Sequence, residues 1–455
     1  MAGIGWRLDR LIHQGTLSGA AAAYATGAAV MALPWVVTTA VLVSLPAVIG
    51  RGVADFTTAE TVVNVAYSVA LLVDGPLQIV ISRYAADRLY ERRLRAIAAP
   101  FCRGLGVTFV LCHVTAALAL LALGLPPGAA LWGGALSAAV GAQWTALSVG
   151  NGLCSPRLVL GAVGAGAALS FLLAAALVVF TGLGLPGYLF GLVSGQSLTL
   201  AILLVGIFRA LPDSTDESAR LLPAFRDYAS LAGAGLAFNA SLWVDKLVVW
   251  CLVGGDTGGL HAAASTLAWF STIPCLAWIF VEVETTFHRR FRAFYRALEG
   301  GASLPELRSG VRTLAGEAAR LLGGAARVQA GVIVFLQVAA GPLARWLRLP
   351  DGTVTPFRLL LIAAGMQAIT LLGLILLYYF DLRREALFAA GVLLVAVAVC
   401  TMAAAELGLP PSVGTLLGCA VGAVVTCHCV HRGVNAVLQH TLLRQPLGAE
   451  RIDPE

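Results

Sequence analysis

The chain has 455 residues and 54 charged side chains, a 12% share, with 59% hydrophobic residues and a formal net charge of +6. A soluble domain carries about 25% charged residues, and so few charges cannot cover so much apolar surface in water. That excludes a soluble enzyme, a disordered chain, a disulfide scaffold and a nucleic-acid binder, whereas hydrocarbon as solvent removes the difficulty.

In chain order, residues 1–20 place Ile4, Leu8, Leu11 and Ile12 on one helical face, which predicts an amphipathic N-terminus lying on the membrane surface. Twelve apolar segments follow, near residues 21–49, 61–82, 102–123, 129–149, 158–180, 188–208, 228–252, 260–281, 328–344, 357–380, 386–405 and 413–430. Their length and lack of two-residue alternation mean helices, because only helices and closed barrels satisfy backbone groups in lipid. The first is too long for the 7–15-residue core of a cleaved signal peptide. The predicted architecture is an all-α polytopic membrane protein of about 12 transmembrane helices. A first bundle of six covers 21–208, a cytoplasmic linker 209–227 and a second bundle 228–430, with a cytoplasmic tail at 431–455. The six-plus-six division follows prolines: Pro34 beside Trp35 in the first span, Pro76 in the second, and Pro274 in the eighth, 198 residues after Pro76.

Orientation follows from arginine. Of the 30 basic residues 29 are Arg, and with the N-terminus in the cytoplasm 25 of these fall on the cytoplasmic side. Arg51, Arg345, Arg348 and Arg358 fall on the other. This asymmetry is the positive-inside pattern and puts both termini in the cytoplasm.

The largest cytoplasmic stretch, 282–327, predicts a helical hairpin. Phe287, Phe291, Phe294, Tyr295 and Leu298 share one face, while Arg289, Arg290, Arg292 and Arg296 lie largely around the rest. Gly300 and Gly301 stop this helix, and Ser303 with Glu306 reads as a capping box opening a second that runs to about Gly323. Two readings stand: a helix resting on anionic headgroups, or a docking site for a cytoplasmic partner formed by Phe287, Arg289, Arg290, Phe291, Arg292, Phe294 and Tyr295.

No catalytic residue, metal site or cofactor site is assigned. The only lysine, Lys246, lies in Trp-Val-Asp-Lys, so no Walker A motif exists. Cys427 and Cys429 flank His428 near His431, yet on a helix the two thiols point about 200° apart. The nine cysteines lie mostly in apolar runs and read as small buried hydrophobes.

The informative groups are ionisable residues inside spans: Asp74, Asp245 and Lys246. Each costs at least about 2.5–3.5 kcal/mol at mid-bilayer, so such residues face a bundle interior or a wet cavity. Asp74 precedes Arg83 by nine residues, about 13 Å inside the cytoplasmic end. Asp245 and Lys246 diverge by about 100° on a helix, so the two are not expected to form a simple mutual ion pair. Either they fix helix packing through other partners, or they face substrate or ions. Pro34, Pro76 and Pro274 free carbonyls that can line a cavity, or simply kink their helices. Trp35 and Trp243 are the deeper tryptophans and suit the CH face of a sugar, whereas Trp250 and Trp269 suit the headgroup belt. Gly187, Gly191 and Gly195 predict tight helix packing in the sixth span.

Several blocks, in order along the whole chain, resemble one family. They are the opening MAGIGWRLDRL, Leu33-Pro34-Trp35, the stretch DGPLQIVISRYAADRLY from Asp74 to Tyr90 with Gln78 in its GPLQ, the WVDK of Trp243–Lys246, and VEVETTFHRRFRAFY from Val281 to Tyr295. The chain resembles the PelG family of Pel exopolysaccharide transporters. One departure is Leu33, where that family more often has Gly; it adds bulk beside Pro34. The resemblance implies the fold of the multidrug/oligosaccharidyl-lipid/polysaccharide (MOP) exporters, two six-helix bundles around a central cavity, similar to MATE transporters. It implies a role in biofilm matrix: moving a polymer rich in N-acetylgalactosamine across the bacterial inner membrane. It also implies partners, namely a cytoplasmic glycosyltransferase and membrane scaffold proteins, one a cyclic-di-GMP receptor. The expected cavity residues are Asp74, Gln78, Asp245, Lys246, Trp35, Trp243, Pro34, Pro76 and Pro274. Two rival functions are a cation-coupled small-molecule antiporter of the same fold and a scaffold that anchors a glycosyltransferase without transporting.

Overall fold

The computed structural model describes residues 16–50, 56–212, 221–347 and 349–444. Most of the amphipathic N-terminus expected over residues 1–20, the middle of the 209–227 linker and the end of the tail lie outside the described residues. Among the described residues the chain is helical throughout, with no strand. It divides between Trp243 and Val244 into two compact units.

The first unit holds α1 (Leu17–Ile49), α2 (Phe56–Tyr90), α3 (Ala98–Ala122), α4 (Pro127–Leu153), α5 (Pro156–Thr181), α6 (Gly184–Ala210), the short α7 (Leu221–Asp227) and α8 (Ala229–Ser241). α1 bends by 61° between Ala21–Ala29 and Pro34–Pro46. Pro34 has no N–H to continue the ladder. The Thr38 hydroxyl donates to the Pro34 carbonyl at 2.7 Å, satisfying one backbone acceptor beyond the bend. α5 and α6 pack closely because Gly191 and Gly195 have no side chain: a Cβ at either would lie within 2.4 Å of α5 backbone, at Ala174 and Gly166.

The second unit holds α9 (Val244–Leu252), α10 (Gly255–Phe270), α11 (Ile273–Glu282), α12 (His288–Glu299), α13 (Leu304–Trp346), α14 (Val354–Tyr379), α15 (Arg383–Glu406), α16 (Pro411–Asn435) and α17 (Val437–Arg444). A π-helical turn, Val283–Phe287, joins α11 to α12. α10 and α11 part at Ser271 and Thr272, with Pro274 in the first turn of the new helix, where a missing N–H costs little. The hydroxyls of Ser271 and Thr272 donate to the Ala268 and Trp269 carbonyls at 2.6 and 2.7 Å, alongside the backbone N–H groups of the same two residues.

Among the described residues, nine helices are long and apolar enough to cross a membrane, or up to 11 spans when the bent pairs within α1 and across α8–α9 each count once. Each of the twelve expected segments coincides with one of these or with α4. α4 is 27 residues long but rich in Gly, Ala, Ser, Thr and Gln, and most of it is buried among neighbouring helices. A span that touches protein rather than lipid has no need of a strongly apolar surface. The lipid-facing helices show the reverse. Val110, Val114 and Leu118 of α3, Val334, Phe335 and Val338 of α13, and Phe388, Val395 and Val399 of α15 all stand exposed.

The expected hairpin is present in part. Gly300 and Gly301 end α12, and the Glu306 carboxylate accepts from the Ser303 N–H at 2.8 Å and the Ser303 hydroxyl at 2.9 Å. The second arm, however, does not stop at Gly323: α13 runs unbroken for 43 residues and carries this arm directly into the segment expected as the ninth span. The reason is packing. A Cβ on Gly324 would meet the Trp278 ring at 2.3 Å, so this glycine serves a close side-chain contact and keeps helical dihedrals.

Candidate functional site

Each unit buries one acidic centre. In the first, Asp74 of α2 is 1% exposed and accepts a hydrogen bond from Thr145 Oγ1 of α4 at 2.5 Å. Thr145 lies 3.2 Å from Thr108 Oγ1 of α3, so three helices meet in one carboxylate–hydroxyl chain. One residue on, Gly75 crosses Gly235 of α8 so closely that a Cβ on Gly235 would stand 2.7 Å from the Gly75 carbonyl oxygen. Asn239 of α8 donates to the Leu71 carbonyl at 3.0 Å beside that crossing. Pro76 follows and lines an open groove with Leu72, Val73, Leu77, Val107 and Leu236. Gln78 is half-buried on the same helix. Pro34 is buried and Trp35 half-buried on α1.

A second polar cluster in this unit was not anticipated from sequence. Thr38, Tyr67, Gln143, Ser170, Gln196 and Thr199 line a small cavity between α1, α2, α4, α5 and α6, with Gln196 Nε2 donating to the Tyr67 hydroxyl at 3.2 Å.

In the second unit Asp245 of α9 is 2% exposed and holds two cationic or titratable partners. Lys246 Nζ lies 3.2 Å from Oδ1, and His261 Nε2 of α10 lies 2.9 Å from Oδ2. The expectation that Asp245 and Lys246 do not pair is therefore wrong. Their Cβ directions do diverge, but the four-carbon lysine stem curls back to its neighbour, which a short side chain could not do. Asp245, Lys246, Ser265, Trp269, Gln367 and Thr415 line a cavity of about 10 Å³. Trp269, expected at the headgroup belt, is thus beside the buried carboxylate, while Trp250 is exposed as expected of a belt residue. Trp243 is half-buried in the turn between α8 and α9, which bend by 46° there.

The structure brings Asp245 and Lys246 together and gives Asp74 separate partners in the other unit. It adds His261, Ser265, Gln367 and Thr415 to the first pair, and Thr145 and Thr108 to the second centre. Only His261 carried a legible signal, as an imidazole at the edge of an apolar run. The threonines and glutamine are polar but unremarkable in composition.

The docking candidates split by side. Phe287 is fully buried, packed edge-on against Tyr379 and Phe380 with ring centroids 5.3 and 5.9 Å apart, and Phe294 is 5% exposed. Phe291 stacks between Tyr295 at 4.6 Å and Tyr379 at 5.4 Å. These rings close the second unit's own interior. Arg289 and Arg292 are exposed. Arg290 pairs with the buried Glu317 at 3.4 Å, and Arg320 bridges Glu317 and Glu282.

The sequence profile of PelG, an exopolysaccharide exporter (EPS-E), matches residues 1–442. No curated protein matches the chain. Among solved structures, the chain is similar to the Vibrio cholerae MATE transporter VcmN, with a TM-score of 0.67, 16% identity, and 97% of this chain and 99% of that chain covered. It is also similar to MATE in complex with MaL6, with a TM-score of 0.64, 13% identity and coverage of 91% and 97%. A MOP superfamily transporter from Pyrococcus furiosus gives a TM-score of 0.64, 14% identity and coverage of 90% and 96%. At these identities the likeness is one of fold.

Proposed function

The chain belongs to the PelG exopolysaccharide exporter family, and on that premise we propose that it moves a Pel-like, N-acetylgalactosamine-rich polysaccharide from cytoplasm to periplasm. The observation that carries this reading is the family match over residues 1–442, on a helical membrane chain with the fold of MATE transporters. The buried acidic centres support it, because ionisable groups are costly inside spans and mark substrate and ion pathways. Asp74, Gln78, Asp245, Lys246, Trp35 and Trp243, with Pro34, Pro76 and Pro274, are the residues assigned to the path. The carboxylates and Lys246 offer polar contacts to hydroxyl and acetamido groups, and the two indoles offer flat faces to sugar CH groups.

The protein resides in the bacterial inner membrane with both termini in the cytoplasm. It works beside a cytoplasmic glycosyltransferase and membrane scaffold proteins, one of them a cyclic-di-GMP receptor. With the aromatic side of α12 turned inward, the basic side around Arg289 and Arg292 is the part of the docking face offered to such partners.

The test is a deletion strain complemented with the wild type or with Lys246→Ala. Polymer made inside but absent outside, restored by the wild type and reduced at least tenfold by Lys246→Ala at equal membrane abundance, is the expected outcome. Normal matrix in the deletion strain together with sensitivity to toxic organic cations would instead identify a small-molecule antiporter.

A further inference from the structure

The groove beside Pro76 has a volume of about 790 Å³, within the size of clefts that enclose a small ligand. α2 forms its floor, and α3 and α8, both packed on α2, supply its walls. Arg103, Val107 and Leu111 follow one another at four-residue spacing along α3 and line one wall. The guanidinium therefore stands at the mouth, and Leu111 lies about 12 Å farther in. Leu236 lines the groove from α8, and Leu222 and Phe225 from α7. A Cβ on Gly104, next to Arg103, would lie 3.7 Å from Leu221 of α7, so the short helix closes the groove at the arginine end.

Ten of the eleven lining side chains are apolar, and the eleventh is Arg103. Such a lining leaves glycan hydroxyls without hydrogen-bond partners, which is costly, so polymer does not belong there. It suits a hydrocarbon chain with a negative group at one end. The charge around the mouth has the matching sign. Residues 83–103 and 221–228 hold seven arginines and three acids. Asp87 is engaged by Arg83 and the Tyr228 hydroxyl, and Glu91 by Arg88. Arg226 follows Phe225 in the last turn of α7. A guanidinium has five donors, so Arg103 has donors to offer a phosphate beside the protein contact it already makes. The short α7 points the same way. Seven residues are too few for a helix to hold itself together in water. α7 buries Ala224 among its neighbours, yet its Leu222 stays 66% exposed at the groove. Cover from outside the chain completes that apolar side.

We propose that this groove binds one acyl chain of an anionic phospholipid, whose phosphate sits at Arg103 and Arg226. The chain runs from the mouth past Val107 to Leu111 and covers the exposed side of α7. It touches α2, α3, α7 and α8 at once, whereas lipid on the open stripe of Val334, Phe335 and Val338 on α13 meets a single helix face. Basic pockets between spans are the places where anionic headgroups are held selectively. This binding goes beyond the exporter reading and does not depend on it.

The test uses the purified full chain in phosphatidylcholine nanodiscs doped with brominated lipid, whose bromines quench nearby indoles. Leu236→Trp places a reporter in the groove, and Val334→Trp places one on the open face of α13. Each is read as the difference from the chain without the added indole. Brominated phosphatidylglycerol is expected to half-quench the groove reporter at a mole fraction about threefold or more below that needed for brominated phosphatidylcholine. The two lipids are expected to act alike on Val334→Trp. Adding Arg103→Gln and Arg226→Gln to the Leu236→Trp chain is expected to erase the difference. Should Leu236→Trp fail to fold, Leu222→Trp serves as the groove reporter. Equal action of the two lipids in the groove, no quenching there by either, or a preference that survives the double Arg→Gln change overturns the proposal. Displacement of brominated phosphatidylglycerol by a polyprenyl phosphate but not by unlabelled phosphatidylglycerol also overturns it, in favour of a prenyl carrier.

Discussion

At the scale of single residues, the two buried carboxylates are held differently, Asp245 by Lys246 and His261 and Asp74 by a hydroxyl. Among the described residues Asp74 keeps only Thr145 as a side-chain donor, at 2.5 Å in a 1% exposed position. Thr145→Val preserves shape and removes that donor. The expected loss is about 1–3 kcal/mol, the cost of stranding a buried acceptor, seen as a lower melting temperature in detergent. Thr145→Ser keeps the hydroxyl and is expected to melt near the wild type. Lys246 teaches a related lesson about reading sequence. Its presence in an apolar run was legible, and so was its cost, but its partner was not. Angular spacing describes where a side chain starts, and a long flexible stem decides where it ends. His261 was not singled out in the sequence; that it would complete the Asp245 cluster depended on α9 and α10 packing together, which no local pattern encodes.

At the scale of helices, each of the twelve apolar runs coincides with a helix, most of them because lipid imposes one requirement on each residue facing it. α4 shows the limit of that rule: its place in the fold is set by small residues that let neighbours approach. The crossing of α2 and α8 is of the same kind. Gly235→Ala places a methyl group 2.7 Å from the Gly75 carbonyl oxygen and 2.5 Å from Ile79 Cδ1. The side chain can move but the backbone cannot without shifting a helix, so a loss of about 1–3 kcal/mol is expected. Gly152→Ala, with nothing within 4 Å of the added carbon, is the control. It is expected to be neutral or to stabilise by up to about 1 kcal/mol. Thermal melting of both variants in one detergent separates crowding from helix propensity. The predicted end of the hairpin arm at Gly323 failed for the complementary reason: two glycines resemble a stop, but here one of them makes room for Trp278.

At the scale of the whole molecule, the arginine asymmetry predicts a topology that can be measured directly. Tags on the N- and C-termini are both expected to resist external protease in intact spheroplasts and to be cut after lysis. Cleavage of either tag in intact spheroplasts would break the assigned orientation. The division of the chain at Trp243–Val244, inside a bent span, was not legible, because composition changes little across α8 and α9. The candidate path was legible only as separate ionisable residues; which helices supply their partners is a property of the packed units.

The wide turn at Val283–Phe287 has its own consequence. Such a turn accommodates one residue more than regular winding, the signature of a single-residue insertion into a helix. Everything downstream is rotated by about 100° relative to an uninterrupted helix. Phe291 meets Tyr379 and Arg290 meets Glu317 only in that rotated frame. Winding this turn as regular helix with every residue kept would carry the α12 rings away from Tyr379, whereas excising Thr286 would remove the surplus residue and leave the faces of α12 where they stand. The wide turn thus absorbs one surplus amino acid and keeps the aim of the whole arm.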